Sequence, residues 1–569
     1  MELLKKVKNK KFWQEVREKP TYAFLLNEIT EKYQECCLCD PPILKYSEYK
    51  FFFETGDRKV YEEKYFKRRR QLCILTLMSL IYPENKKYLL QLQDVVWAIL
   101  DEYCWALPAH VANNTVEDDT FIDLFAAETG ITLSEVFHFL GDRLDSLLKD
   151  RIKNEIDRRI IRSYLERENE FWWDVDCENN WASVCAGSVG ATFLYMRPEL
   201  FETVKSRIDA DMERYLKGFY KDGICREGLC YWTYGFGFYA FYCDLLKQFS
   251  DGRYDGFRDE HIKEIAMAQQ KCYLQEDVTV SFGDSGMHCR SSIGLTHYLK
   301  SVYSQVEVLP TQYSFVLDHC GRWFMASRAF LYFNSDYINA DINDEKVYYM
   351  EDSEWFVKKS KYLAFAAKAG NNDESHNHND VGTFIVAAGG QQILCDLGAG
   401  EYTKQYFDVS SRYEIFCNSS YGHSVPIFDG TGQSAGKEFS GAMTYEGGLL
   451  RIDMTAAYAL CKLKSLTRTF HFDQEHIWMR DDFWLADKTE ITERFVTLIE
   501  PKICDTFIQV GVLRLFYRGG NWKVSINQQT HVNHNGEKIT VYCIDFVCIA
   551  ETVSFDLQIQ NNKSDLQLD

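Results

Sequence analysis

The chain has 569 residues, of which 46% are hydrophobic and 15% aromatic, and a formal net charge of -20. That length is too great for one core and calls for two large domains or three smaller ones, while the apolar content excludes a disordered chain. The charge excludes non-specific binding to nucleic acid or to an anionic membrane, and a polyanionic substrate would need a local basic patch. At the N-terminus, Met1 to Lys8 is charged with no apolar signal core behind it, and no stretch approaches ~18 uninterrupted apolar residues. The 19 cysteines are scattered, odd in number and without a CxxC pair array, which fits buried thiols of a reducing compartment better than a disulfide framework. On these grounds the chain reads as cytoplasmic.

The first half has helical texture. Between Val136 and Leu165, apolar residues recur at Leu140, Leu144, Leu147, Leu148, Ile152, Ile156, Ile160 and Ile161, the three-and-four spacing of an amphipathic helix pair or one long helix. Leu72 to Ile81, Val95 to Tyr103 and Phe236 to Phe249 read the same way. Further on the period changes to two: Val553, Phe555, Leu557 and Ile559 alternate with Ser554, Asp556, Gln558 and Gln560, the pattern of a half-buried antiparallel strand. Lys538 to Ala550, Phe507 to Tyr517, Leu449 to Thr455 and His476 to Leu485 add short strands. The expected architecture is a helical array or toroid over residues 1–305 and antiparallel β-sheets over residues 306–569, the boundary falling near Val308-Leu309-Pro310-Thr311.

Three segments carry polar chemistry. Asn179-Asn180-Trp181 precedes a small-residue helix start and is either a helix cap or a carboxylate-binding amide pair. Glu227-Gly228-Leu229-Cys230-Tyr231-Trp232-Thr233-Tyr234-Gly235 sets Tyr231 and Tyr234 three apart, on one face if helical. The third, Ser375-His376-Asn377-His378-Asn379-Asp380, would place His376, His378 and Asp380 on one face if extended. Downstream, Ile393-Leu394-Cys395 is a short apolar strand ending at Asp396, and His423 follows a Tyr/Arg-rich loop. His378, Asp396 and His423 form a two-His, one-carboxylate set that suits Zn²⁺, or Fe(II) as a facial triad.

Together these segments resemble the heparinase II/III-type polysaccharide lyases, a group that includes oligoalginate lyases. The resemblance rests on Asn180-Trp181, the Glu-Gly-x-x-Tyr-Trp-x-Tyr-Gly stretch and above all His-Asn-His-Asn-Asp-x-Gly-x-Phe. Trp105-Ala106-Leu107-Pro108-Ala109-His110 and Phe282-Gly283-Asp284-Ser285 are similar to further family segments. It covers roughly residues 95–430 and implies an incomplete α/α toroid followed by an antiparallel β-sheet sandwich. It also implies one mainly structural zinc held by His378, Asp396 and His423, with His376 facing the cleft; Ser424 stands where relatives often carry Asn.

The function that follows is a lyase cutting a uronic-acid-containing oligosaccharide, of glycosaminoglycan or alginate type, by β-elimination. In that reading Asn180, assisted by His376 or Arg412, neutralises the uronate carboxylate, and Tyr231 donates a proton to the departing O4. Either Tyr231 or His376 removes the C5 proton, with Arg226 and Arg290 as suppliers of positive charge to Tyr231. Asn179, Trp181, Tyr234, Trp105 and His110 are the expected substrate-binding residues. The rivals are an Fe(II)-dependent oxygenase and a glycan-binding protein without turnover; the identity of the uronate, endo or exo action and the oligomeric state stay open.

Overall fold

The computed structural model describes residues 3–562 apart from 112–118, 168–170, 338–344 and the single positions 404, 409, 474 and 520. Two compact units are interleaved along the chain: one takes Met1–Gly218, Tyr231–Lys263 and Arg290–Ala340, the other Phe219–Cys230, Glu264–Cys289 and Asp341–Asp569.

The first unit is helical. Helices α1 (Lys59–Ile81), α2 (Lys86–Leu100) and α3 (Leu124–Leu140) lead to α4 (Ser146–Ile156), which runs on through a π-helical turn at Asp157–Arg162. The apolar run from Val136 to Leu165 therefore resolves into a pair, broken between Gly141 and Asp145, where the Asp145 carboxylate accepts the Leu147 N–H and restarts the helix. Helix α5 (Asn180–Met196) is followed by α6 (Phe201–Leu216), α7 (Gly237–Phe249), α8 (Ile293–Val302) and α9 (Trp323–Tyr332). Helices thus continue past residue 305, the expected end of the helical half. A two-residue parallel pair, Ser291–Ser292 with Ser314–Phe315, is the unit's small exception to helix. Among the described residues no helix is long and apolar enough to cross a membrane.

The second unit is an antiparallel sandwich. Strands β1 (Lys346–Met350), β2 (Trp355–Lys359), β3 (Ala364–Lys368), β4 (Phe384–Ala387) and β5 (Gln392–Leu394) form a sheet in the order β5-β4-β3-β2-β1. A larger sheet holds β6 (Ala442–Glu446), β7 (Leu449–Asp453), β8 (Leu463–Phe472), β9 (His476–Thr497), β10 (Lys502–Ile503), β11 (Ile508–Val510), β12 (Leu513–Arg518), β13 (Lys523–Val532) and β14 (Lys538–Asn561). Its order is β6-β7-β8-β9-β14-β12-β11-β10, with β13 also on β14. Phe365 and Phe384 of the small sheet meet Phe470 of the large one with ring centroids 4.7 and 5.2 Å apart, so the sheets share one aromatic core. Strands β8 and β9 alternate buried and exposed residues, as a sheet with one wet face must. By contrast β3, β4 and β5 are buried throughout, so no period-two signal marks them in the sequence.

Candidate functional site

The His376–Asp380 segment is a turn. His376 sits in the left-handed region at φ 59°, so the expected one-face strand of His376, His378 and Asp380 does not form. The side chains part company instead. Asp380 turns to the buried Lys368, Oδ1 to Nζ 2.6 Å, while both histidines converge on Asp284.

Asp284 is the hub of the site. Its carboxylate receives His376 Nδ1 at 2.5 Å, His378 Nε2 at 3.0 Å, the Tyr402 hydroxyl at 3.2 Å, the Tyr406 hydroxyl, and Arg412 Nη2 at 3.4 Å. Burial alone would raise this acid, but the hydrogen bonds from His376 and His378 prevail and hold it well below the usual carboxylate range. On its other side the His376 Nε2 lies 3.3 Å from Glu227. Burial opposes its charge, yet the two carboxylates carry the imidazole up to about 9. Arg412 is committed here too: it donates to the carbonyls of Tyr406 (2.9 Å) and Asn377 (3.1 Å) as well as to Asp284, so it fastens the hub. After Glu227, a glycine is sterically required. Gly228 has φ 95° and a Cβ there would lie 2.0 Å from Ser285 Oγ, the atom that accepts the Leu229 N–H at 3.0 Å.

Behind His378 lie the expected metal residues. His378, Asp396 and His423 are fully buried and offer ligand atoms within 4.8 Å of one another. His378 spends Nε2 on Asp284, and His423 spends Nε2 on the Cys417 carbonyl at 2.7 Å. Each histidine therefore turns Nδ1 toward the triad, and His378 Nδ1 has no hydrogen-bond partner among the described residues. A ligating imidazole whose other nitrogen is held by an oxygen is the usual outer-shell arrangement of a metal site. His423 Nδ1 to Asp396 Oδ2 is 3.1 Å, close to the about 3.3 Å separation that tetrahedral zinc imposes on its ligands. The set fits a metal ion. Asp380 Oδ2, 3.8 Å from His423 Nδ1, is a further carboxylate oxygen beside it without a hydrogen-bond partner.

A buried charged clamp holds both ligand loops. Arg468 on β8 bonds Asp481 at 2.7 Å and Glu493 at 2.6 Å on β9, and gives its remaining hydrogen bonds to the Gly382 carbonyl (2.8 Å) and the Ser424 carbonyl (2.7 Å). Burial and repulsion from Asp481 push Glu493 well above the carboxylate range, with the Arg468 guanidinium pulling the other way. Ser424, the departure from the family pattern, uses its hydroxyl to accept the Val496 N–H at 3.2 Å. Gly382, at φ 85°, has Met454 Sδ 1.8 Å from where a Cβ would stand, so the motif's glycine is a packing necessity.

The other expected residues, Arg226 apart, belong to the helical unit. Asn179 is the N-cap of α5, its side chain accepting the Trp181 N–H, and Asn180 is the first, buried residue of that helix. Ser183, one turn on, donates to the Gly235 carbonyl at 2.8 Å and so ties α5 to the segment carrying Tyr231 and Tyr234. That segment is not regular: Leu229–Tyr231 is one short turn, and Trp232–Phe236 is a π-helical turn leading into α7. The wider turn spoils the i, i+3 face expected for the two tyrosines. Tyr234 donates to Glu128 at 2.5 Å and lies under the Arg322 guanidinium, 3.8 Å from the ring centroid. Burial raises Glu128 to about 7, against the opposing pull of Arg322. Trp181 packs between His110 and the exposed Trp172, both 4.8 Å away, and His110 Nδ1 bonds Asp123 at 2.7 Å. Trp105 corrects the sequence reading. It is 1% exposed and its indole N–H donates to the Ile99 carbonyl at 3.0 Å, so it is core and cannot meet a substrate. Arg226 stands over Tyr220 and 3.7 Å from Glu374.

Residues 344–543 match the family model for the heparinase II/III-like C-terminal domain. The sheet unit carries a heparinase II/III-like C-terminal domain. That domain contains His376, His378, Asp396, Arg412 and His423, while the hub Asp284 precedes it. Solved structures are similar over nearly the whole chain. Heparinase III matches with a TM-score of 0.61 at 11% identity, covering 98% of this chain and 91% of that one. Heparan sulfate lyase HepC from Pedobacter heparinus matches with 0.54 at 13% identity over 96% and 92%. The Streptomyces coelicolor A3 chondroitin AC lyase, solved with chondroitin sulphate, matches with 0.54 at 11% identity over 98% and 82%. At such identities the likeness is one of fold, an α/α toroid followed by antiparallel sheets, as the sequence implied. No curated protein sequence matches significantly.

Sequence reasoning missed Asp284, although Phe282-Gly283-Asp284-Ser285 was among the resembling segments, and it missed Glu227, Tyr402 and Tyr406. Nothing local marks these residues, because their partners lie 92 to 149 positions away along the chain.

Proposed function

We propose that this protein is a lyase that cleaves a uronic-acid-containing glycan by β-elimination, leaving an unsaturated uronate. The observation that carries the reading is the bridging of His376 and His378 by Asp284: one carboxylate fastens a substrate-side imidazole and a metal-side imidazole. The heparinase II/III-like match, which spans both histidines, supports it, as do the glycosaminoglycan lyases among the similar folds.

The C5 proton of a uronate becomes removable only when the carboxylate beside it is neutralised. His376, with a carboxylate at each ring nitrogen, is held as an imidazolium; that suits charge neutralisation and disqualifies it as the base. In the helical unit, Asn180 is the amide assigned to hydrogen-bond a uronate carboxylate. Tyr231 is then left as the base toward C5 and the acid toward O4. Glu227, which touches His376, lies four residues before Tyr231 in the chain. Arg412 acts as a positioning residue through Asp284. His378, Asp396 and His423 would hold zinc, which joins the two ligand loops and supplies rigidity; no proton transfer needs it.

The test is a panel of heparan-, chondroitin- and alginate-type oligosaccharides incubated with metal-replete protein. The expected result is ultraviolet absorbance from a conjugated unsaturated uronate with at least one of them. Cleavage without that absorbance, or oxygen consumption in its place, overturns the reading.

A further inference from the structure

Away from the hub, the sheet unit holds two thiols in contact. Cys230 Sγ and Cys289 Sγ are 3.8 Å apart, Cys230 is exposed and Cys289 is half-buried. None of the 19 cysteines is in a disulfide. Both backbones are fastened. The Cys289 N–H donates to the Asp277 carbonyl at 3.0 Å, and its own carbonyl accepts the Tyr273 hydroxyl at 2.9 Å. Beside Cys230, the Leu229 N–H is held by Ser285 Oγ at 3.0 Å. A disulfide is about 2.05 Å long, so closure asks the sulfurs to approach by only about 1.8 Å, within reach of a side-chain rotation.

Reactivity favours the same pair. The hydrogen bond with Cys289 lowers the Cys230 thiol below the usual thiol range, the Gly286 backbone helping, which favours the nucleophilic thiolate at this exposed sulfur. The buried Cys225 and Cys272 are pushed upward by desolvation and are poor nucleophiles.

We propose that Cys230 and Cys289 form a reversible dithiol–disulfide site that reacts with peroxides. The Cys230 thiolate attacks one peroxide oxygen, the O–O bond breaks, and a sulfenic acid and hydroxide form. Cys289 sulfur then attacks the Cys230 sulfur, the S–O bond breaks, and water leaves. Two thiols and one hydrogen peroxide give one disulfide and two waters; the thiols are oxidised and the peroxide reduced. The bond tethers the residue next to Tyr231, so oxidation slows turnover, a consequence that rests on the lyase reading.

The experiment treats the reduced full-length protein with equimolar hydrogen peroxide, alkylates it and maps the peptides by mass spectrometry. The expected result is the loss of two alkylatable thiols per chain and a Cys230–Cys289 cross-linked peptide, reversed by dithiothreitol. C230S and C289S should each abolish the cross-link, while C461S, at an exposed cysteine elsewhere, keeps it. No thiol loss, or oxidation that spreads over other cysteines without this cross-link, overturns the site. On a substrate the reduced protein turns over, oxidation should lower the rate, C289S should resist that loss, and dithiothreitol should restore the wild type. A cross-link with unchanged turnover overturns the regulation alone. A cross-link in a protein that, even reduced, turns over no uronate overturns the lyase reading and leaves the site standing.

Discussion

Two histidines, one buried and one half-buried, show how differently the units are built. In the helical unit, His297 accepts the Asn334 N–H at Nδ1 at 2.9 Å, leaves Nε2 without a partner, and stacks on Phe333 with centroids 5.2 Å apart. Burial alone lowers it to about 4, so it is a neutral core ring. In the sheet unit His376 is similarly desolvated, yet Asp284 and Glu227 reverse the outcome and raise it to about 9. Burial by itself makes an imidazole neutral; a lasting positive charge requires carboxylates recruited from distant sequence. A core has no use for that expense, whereas the anion-binding role proposed for His376 would. In the helical unit the corresponding candidates are uncharged: Asn180 and Tyr231.

The sharpest way to break the contrast is at Tyr231. Tyr231→Phe keeps the ring and removes the hydroxyl, and turnover should fall by about 10²- to 10⁴-fold with the melting temperature little changed. Near-parental turnover on a confirmed substrate would leave the helical unit without its proposed chemistry.

Next is the hub. Asp284→Asn leaves His376 and Arg412 short of their counter-charge in a buried site, and denaturant unfolding should show a loss of about 3–5 kcal/mol. An unchanged midpoint would mean that the five donors around Asp284 do not depend on its charge.

Removing a ligand comes third. His378→Ala should bring bound metal, read by plasma mass spectrometry, down to background. It should also remove stabilisation of about 4 kcal/mol at free metal a thousand-fold above Kd. A parent protein that carries no metal and melts like the variant would sink the metal assignment.

The smallest effect belongs to His297. Its unfolded form takes up a proton near pH 6.5, its folded form only near 4. As pH falls between those values the unfolded state gains a proton that the native state refuses. Stability should therefore drop by about 1.4 kcal/mol per pH unit from this residue. Melting curves at pH 7 and pH 5 should converge in His297→Gln relative to the parent; an equal drop in both would clear the residue of this role.

The sequence made some of this legible and hid the rest for identifiable reasons. The helix pair around Val136–Leu165 and the strand at Val553–Ile559 were readable because each keeps one wet face. Strands β3 to β5 of the small sheet, buried on both faces, gave only the fragment at Ile393. His378, Asp396 and His423 could be chosen on residue type and resemblance. The geometry of His376 could not, since a left-handed turn inside a polar run has no periodic signature. Trp105 misled because aromatic side chains serve substrate platforms and cores alike, and only burial separates the two. Asp284 stayed invisible as a hub because Tyr402, Tyr406 and Arg412 meet it only after folding.

The Arg468 clamp has a consequence for how the protein comes into being. Every residue that touches the metal position has left the ribosome by His423, yet the loops of His378 and His423 are pinned by a guanidinium at position 468, itself held by acids at 481 and 493. A nascent or truncated chain ending between 430 and 460 would own a complete set of ligands and nothing to hold them in register. Metal capture there would be deferred until strands β8 and β9 had paired, and a bound ion would report that the C-terminal sheet had closed.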